Sequence, residues 1–262
     1  MMRVLTIAHT VWLGIIRKKD IYVLLILLST LLLALVSLNV FGLGGTVRYV
    51  KDLGLLAAWF FSWILAVNLS SRELPGEETN GTVFPLLAKP ITRAELIAGK
   101  WLGTWTATTV ATIGFYILVS GIVILRGGFF DPAALAQAII LHSVAVGIMC
   151  AIGLAFSTRM NYDAAASISF VLTAAAFLVA PRVPEFMAHE TGPTADILLF
   201  LYNALPHFEV FDMRKRLVHD FGPAGWNTFL IVIIYGILLC FLYGLLAWLA
   251  YRNKKFSRGN QM

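Results

Sequence analysis

Gly99 and Lys100 form a dipeptide that also occurs in phosphate-binding loops, where it holds the phosphates of a nucleotide. Such a loop needs a glycine five positions before its second glycine, and a serine or threonine directly after the lysine. Here Ala94 occupies the first of these positions and Trp101 the second. The chain also lacks the His-Glu-x-x-His pattern of zinc metalloproteases. We therefore predict that this chain has no catalytic residues, binds no cofactor and is not an enzyme.

A group of histidine and methionine residues, whose side chains suit copper, lies in the second half of the chain. The group comprises Met187, His189, His207, Met213 and His219. No tight ligand spacing joins these residues, and the acidic residues among them are typical of a solvated face. We therefore predict no metal site. His142 lies instead in an apolar segment, where we expect a hydrogen-bonded position at a helix interface rather than a substrate ligand.

The chain that carries these residues has a composition far from that of a soluble protein. Of its 262 residues, 59% are hydrophobic and 13% are charged, whereas a soluble domain carries about 25% charged residues. A helix needs about 20 mostly apolar residues to cross a bilayer. Six segments meet this requirement: 21–41, 53–69, 101–125, 133–156, 164–180 and 228–251. We predict an all-α polytopic membrane protein in which residues 1–262 form a single transmembrane domain.

The distribution of lysine and arginine orients the six predicted helices, because these residues accumulate on cytoplasmic segments. If both termini are cytoplasmic, 13 of the 20 Lys and Arg residues lie inside. Most of the others fall in one long extracytoplasmic segment, residues 182–226. We therefore predict that both termini are cytoplasmic. The same rule explains the net charge of +6, so no nucleic-acid partner is expected.

Small residues recur every four positions on three of the predicted spans, a spacing that lets helix backbones approach closely in lipid. They are Thr104, Thr108 and Thr112; Ser143, Gly147, Ala151 and Ala155; and Gly236, Cys240 and Gly244. We interpret these rows as packing surfaces, with a substrate-lining face as the alternative. No Asp, Glu, Lys or Arg falls clearly at mid-depth of a span, which disfavours ion-coupled transport.

Residues 1–18 have an amphipathic pattern. The apolar face comprises Val4, Ile7, Ala8, Val11, Trp12 and Ile15. We predict an interfacial helix with its apolar side in the membrane and its basic side towards anionic head groups. The alternative is a simple extension of the first span, but the consecutive residues Lys18, Lys19 and Asp20 favour a break.

The connection between the second and third spans, residues 70–100, is too polar for the bilayer and too short for a separate domain. Pro75-Gly76 predicts a turn within it. Thr92 predicts the start of a helix that continues into the third span, with Glu95 completing a capping box.

The middle of this connection predicts a short apolar helix over residues 83–88, which is capped by Thr82 or Asn80 and ended by Pro90. Its apolar side chains would be exposed to the cytoplasm, and they include Phe84, Leu86 and Leu87. Such a tethered apolar helix indicates a docking surface for a partner. A loop that folds back onto its own bundle is the alternative.

The same connection closely resembles the cytoplasmic loop of ABC-2 type exporter permeases. The matching residues are Glu73, Glu77, Gly81-Thr82, Leu86-Leu87, Pro90-Ile91, Arg93 and Gly99-Lys100. The six spans and the amphipathic start are also similar to that family. The outer segment contains Leu205-Pro206-His207-Phe208-Glu209, which resembles a motif of the copper-enzyme-maturation branch.

The resemblance implies that residues 82–89 form a coupling helix seated in a groove of a separate cytoplasmic ATPase. The residues expected at this docking site are Glu73, Glu77, Glu78, Gly81, Thr82, Phe84, Leu86, Leu87, Pro90 and Arg93. It also implies a permease subunit of an ATP-driven exporter in the plasma (inner) membrane. ATP and Mg²⁺ would then be held by the ATPase dimer, and a second copy or a related permease, surrounded by membrane lipid, would complete the path. The alternative hypothesis is a non-transport membrane scaffold or assembly factor.

The extracytoplasmic segment, residues 182–226, has an apolar middle that is too short to span a membrane. This middle part, residues 197–211, is interrupted by Pro206. We predict a re-entrant or interfacial pair of helices.

Overall fold

A computed structural model of the protein describes residues 2–19, 22–23, 25–27, 29–30, 46–79, 91–187, 192–252 and 254. These residues form α-helices and short 3-10 helices, and they include no β-strand. The α-helices are α1 (Met2–Lys18), α2 (Thr46–Thr79), α3 (Arg93–Leu125), α4 (Pro132–Ser157), α5 (Tyr162–Leu178), α6 (Val183–Met187), α7 (Pro193–Ala204), α8 (Arg214–Val218) and α9 (Trp226–Arg252). The 3-10 helices are Ala180–Arg182 and Phe208–Phe211.

Five helical segments among the described residues are long and apolar enough to cross a membrane. They are α2, α3, α4, the continuous stretch from α5 to α6, and α9, and they correspond to the second to sixth predicted spans. The prediction of an all-α polytopic membrane protein is therefore confirmed. The first predicted span, residues 21–41, lies mostly outside the described residues.

The bundle is built around α4, which contacts α2, α3, α5 and α9. The most apolar 18-residue window of α4 is 72% buried, whereas that of α9 is only 11% buried. Because α9 is strongly apolar and yet scarcely covered by its own chain, its outer surface faces lipid or another subunit.

The rows of small residues are packing surfaces, as predicted. The hydroxyls of Thr104, Thr108 and Thr112 are buried, and each donates to the carbonyl four residues earlier. A Cβ added at Gly236 would lie 2.1 Å from Val144 Cγ1, so α9 and α4 approach closely at this point. The later part of the α9 row is an exception to this packing, because Cys240 and Gly244 line a cavity of about 500 Å³.

The amphipathic helix α1 packs on protein with the face that we predicted to enter the membrane. Its residues Ile7 and Val11 are buried against Gly99 and Gly103 of α3. A Cβ at Gly103 would lie 2.6 Å from Val11 Cβ, which shows why glycine is required there. The predicted orientation is therefore wrong, because close glycine packing covers this face. A second apolar face remains exposed for the membrane interface, and it includes Leu5, Leu13 and Ile16.

The predicted turn at Pro75-Gly76 is also wrong, because α2 continues through Pro75 to Thr79. A proline inside a helix costs about 3 kcal/mol. Tertiary packing offsets that cost: Leu74 is 1% exposed. One turn earlier, α2 lies so close to α4 that a Cβ at Gly153 would meet Ser70 Oγ at 2.0 Å. Helix α2 therefore continues for ten residues beyond Leu69, where the apolar run of the second predicted span ends.

The outer segment is a chain of short helices, and α7 ends at Ala204, before Pro206, as the sequence predicts. α7 contains no buried residue, and its apolar side chains Ile197 and Phe200 are 65% and 74% exposed. This exposure suits an interfacial helix. The later part of the segment is fixed to the bundle by an ion pair between Asp220 Oδ1 and the buried Lys51 Nζ, 2.7 Å apart.

Candidate functional site at the cytoplasmic end of the bundle

The helices α2 and α3 contain 34 and 33 residues. At 1.5 Å per residue each is about 50 Å long, whereas the hydrocarbon core of a bilayer is about 30 Å thick. Their polar ends, residues 70–79 and 93–100, therefore extend beyond the membrane on the side predicted to be cytoplasmic. These two ends flank residues 80–90, which lie outside the described residues.

The ten predicted docking residues fall into two groups, six outside the described part of the chain and four inside it. Those outside the described residues are Gly81, Thr82, Phe84, Leu86, Leu87 and Pro90, so the short coupling helix stays a prediction. The structure places the remaining four, Glu73, Glu77, Glu78 and Arg93, at the ends of α2 and α3. All four make contacts within the chain.

Lys100 forms ion pairs with two of these carboxylates. Its side chain is 5% exposed, and its Nζ donates to Glu73 Oε2 at 2.9 Å and forms a second ion pair with Glu77 Oε1. Glu73 and Glu77 are four residues apart, so they share one face of α2 and converge on the same ammonium. Burial of a charge is tolerated only when it is paired in this way. The two ion pairs join the end of α2 to the start of α3.

The third glutamate, Glu78, binds a residue that follows α9. Lys254 Nζ donates to Glu78 Oε1 at 2.6 Å and to the carbonyl of Thr158 at 2.9 Å. Thr158 directly follows α4, where the helix dipole favours a cation. One lysine therefore ties the ends of α2, α4 and α9 together.

Arg93 completes the connections at this end of the bundle. Its Nη1 donates to the carbonyls of Tyr251 and Arg252 at 2.7 and 2.6 Å. These carbonyls end α9, so Arg93 caps that helix from the first residue of α3. Its guanidinium carbon also lies 5.8 Å from the centre of the Tyr251 ring.

The start of α3 is fixed by the predicted capping box, which is confirmed. Thr92 Oγ1 accepts from the Glu95 N–H at 3.2 Å, and Glu95 Oε2 accepts from the Thr92 N–H at 2.8 Å. The backbone hydrogen bond from Thr92 lowers the pKa of the Glu95 carboxyl, because it stabilises the carboxylate. These bonds fix the first turn of α3.

Together these contacts form a structure that we call the cytoplasmic clamp, made of Glu73, Glu77, Glu78, Arg93, Lys100 and Lys254. Every charged group in it has a partner, so the clamp is suited to holding helix ends rather than to catalysis. The clamp joins the end of α2 to the start of α3 and to the ends of α4 and α9.

Sequence analysis missed the roles of the two lysines. Lys100 appeared only as part of a family motif, and Lys254 only as one of many basic residues. The four-residue spacing of Glu73 and Glu77 could have indicated a shared cation, but nothing in the sequence identifies which lysine supplies it.

The other polar candidates lie elsewhere and serve packing. His142 is buried, stacks on Trp59 at a 4.0 Å ring separation and contacts Tyr116 Oη through Nδ1 at 3.3 Å, as expected of a helix-interface residue. His207 and His219 contact Tyr235 and Arg48 respectively and do not converge. Within the described part of the chain, no group of three His, Cys, Asp or Glu residues is placed to hold a metal ion.

The fold and the clamp define a class of protein: a polytopic all-α membrane protein in which both helices that flank residues 80–90 are anchored to the bundle. Comparison with protein-family models refines this class, because the model described as ABC-2 family transporter protein matches residues 5–254. The chain therefore belongs to the ABC-2 family and is a membrane permease component of an ABC transporter. The match is to the family as a whole, so the copper-enzyme-maturation branch stays a prediction. No curated protein matches the chain at a significant level.

Proposed function

We propose that this protein is the permease subunit of an ATP-driven exporter, in which a separate cytoplasmic ATPase docks on residues 82–89 and drives substrate across the membrane. The observation that supports this proposal best is the cytoplasmic clamp. It ties both flanks of the docking segment to the bundle, so force applied to that segment reaches the spans instead of being lost in a flexible loop.

The path of the force follows from the lengths of the helices. α2 and α3 are continuous over 34 and 33 residues, so each is a rod that reaches from the cytoplasmic clamp to the outer end of the bundle. Closure of the ATPase around ATP and Mg²⁺ would push residues 82–89, and the rods would tilt as rigid bodies. Two permease subunits, identical or related, would enclose the path, and the sparsely covered α9 leaves surface for such a contact.

The energy must come from the partner, because Ala94 and Trp101 occupy two required positions of a phosphate-binding loop. Membership of the ABC-2 family implies an ATP-binding cassette subunit as that partner. The plasma (inner) membrane and cytoplasmic termini are part of the same proposal, supported by the basic residues on the predicted inner side.

The proposal is tested by co-purification in mild detergent with the ATPase encoded beside this gene. The test variant is Leu86→Asp/Leu87→Asp, and the matched control is Ile197→Asp/Phe200→Asp, which adds two carboxylates to an exposed outer helix. We expect the wild type and the control to retain the ATPase and the test variant to lose it while still inserting in the membrane. If no ATPase binds, or if the test variant retains it, the scaffold hypothesis is favoured.

A further inference from the structure

A cavity of about 310 Å³ lies between the first helical residues after α1 and the cytoplasmic halves of α2 and α5. Its apolar wall includes Val23, Ile64 and Leu69, and its polar end includes Asn68, Arg72 and Tyr162. The cavity is separate from the cytoplasmic clamp and is not used by the proposed coupling mechanism.

The lining changes from apolar to cationic along a single face of α2. Ile64, Asn68 and Arg72 are four residues apart and therefore lie above one another on that helix. From Ile64 to Arg72 the helix rises about 12 Å. Arg72 lies just beyond the apolar run that ends at Leu69, which places its guanidinium at the depth of the cytoplasmic head groups.

The polar end is organised by hydrogen bonds. Tyr162 Oη donates to Asn68 Oδ1 at 2.8 Å, and Asn68 Nδ2 donates to the carbonyl of Ile64 at 3.0 Å. These bonds fix the two neutral side chains beside Arg72. A guanidinium carries five N–H donors in a planar fork that matches the oxygens of a phosphate, so Arg72 can bind a phosphate in addition to a partner within the protein.

The surroundings also favour an anion that comes from the bilayer. Lys19 and Arg159 are exposed and lie four and three residues before the lining residues Val23 and Tyr162. Two acidic residues lie directly beside the lining in sequence, Asp163 and Glu73, and the Glu73 carboxylate is paired with Lys100. Val23 is 61% exposed, so the apolar wall is open towards the hydrocarbon region, where an acyl chain would lie.

We propose that this cavity binds an anionic phospholipid of the cytoplasmic leaflet. Arg72 holds the head-group phosphate, Tyr162 and Asn68 border the head group, and one acyl chain follows the apolar wall formed by Val23 and Ile64. The bound lipid joins the start of the first span to α2 and α5. This assignment is independent of the ATPase and goes beyond the proposed transport function.

Native mass spectrometry of the full-length protein in detergent tests the proposal. The probes are phosphatidylglycerol and phosphatidylcholine with identical acyl chains. We expect the wild type to retain phosphatidylglycerol preferentially and Arg72→Gln to bind it about tenfold more weakly or worse, because a charge-assisted contact is lost. Lys215→Gln is the matched control, since it removes the same charge from an exposed outer residue and should leave binding unchanged.

Two further measurements keep the proposal testable if Arg72→Gln does not fold. Ile64→Trp fills the apolar wall without touching the charge, and we expect it to weaken phosphatidylglycerol binding as well. Inorganic phosphate should not displace the lipid. Unchanged phosphatidylglycerol binding in Arg72→Gln or in Ile64→Trp would overturn the proposal. Displacement of the lipid by inorganic phosphate would also overturn it, because the site would then be one for the free anion.

Discussion

Removal of the Lys100 ammonium tests the cytoplasmic clamp most severely. The substitution Lys100→Met keeps the length of the side chain and removes the ammonium that Glu73 and Glu77 share. Their side chains are only 13% and 21% exposed, so water screens their repulsion incompletely. Breaking a buried ion pair by removal of one partner costs about 3–5 kcal/mol.

We expect a loss near the lower limit, about 3 kcal/mol, because the two glutamates remain partly accessible to water. That loss corresponds to a change of about 100-fold in the unfolding equilibrium constant. Unfolding of the purified protein in mixed micelles, followed by circular dichroism, measures it.

Two controls separate this explanation from simple loss of packing. The triple variant Lys100→Met/Glu73→Gln/Glu77→Gln contains no uncompensated charge and should recover most of the stability. Lys215→Met removes an exposed lysine and should change stability by less than about 0.5 kcal/mol. The reasoning is refuted if Lys100→Met is as stable as the wild type, or if the triple variant is no more stable than the single one.

Three further predictions concern other parts of the chain. Lys254→Met should lower the free energy of unfolding by about 1 kcal/mol, because the partly exposed contacts of Lys254 to Glu78 and Thr158 are lost. Denaturation in mixed micelles measures this change. An unchanged free energy of unfolding would show that the clamp does not depend on Lys254. Gly103→Ala should lower the free energy of unfolding by about 1–3 kcal/mol, because the added Cβ overlaps Val11. Gly121→Ala is the control, since no described atom lies within 4 Å of its added Cβ. For topology, Arg159→Cys should react with a membrane-impermeant maleimide only after the membrane is opened, and Lys215→Cys should react in intact cells, whereas the reverse pattern would invert the predicted orientation.

The spans were predictable because apolar length is a property of local composition. The last predicted span, residues 228–251, differs from α9 by only a few residues at its ends. The capping box of Thr92 and Glu95 was equally predictable, because all its atoms lie within one turn of helix.

The end of α2 was not predictable in this way. Pro75-Gly76 has the local preference of a turn, but the buried Leu74 and the ion pairs of the following turn hold the chain in a helix. Tertiary contacts outweighed local propensity there. The prediction of how α1 is oriented was wrong for a related reason. An amphipathic pattern shows which face of a helix is apolar, but not whether lipid or Gly103 covers that face.

The clamp depends on residues that are distant in sequence. Lys100 and Glu73 are 27 residues apart, and Lys254 and Glu78 are 176 residues apart. The family resemblance predicts that the glutamates contact a partner, whereas in the structure each of them forms an ion pair within its own bundle. The docking role of these glutamates stays a prediction, as does that of the segment between the two flanks.

The most direct test of the proposed function is a photo-crosslink from that segment. Phe84 is replaced by p-benzoyl-phenylalanine in cells that also produce the ATPase encoded beside this gene, and Phe186, an exposed residue of the outer segment, is replaced in the same way as a control. Our account predicts a crosslink from position 84 to the ATPase and none from position 186. A crosslink from position 84 only to the protein's own helices would contradict it, because the segment would then fold back on its bundle instead of docking a partner.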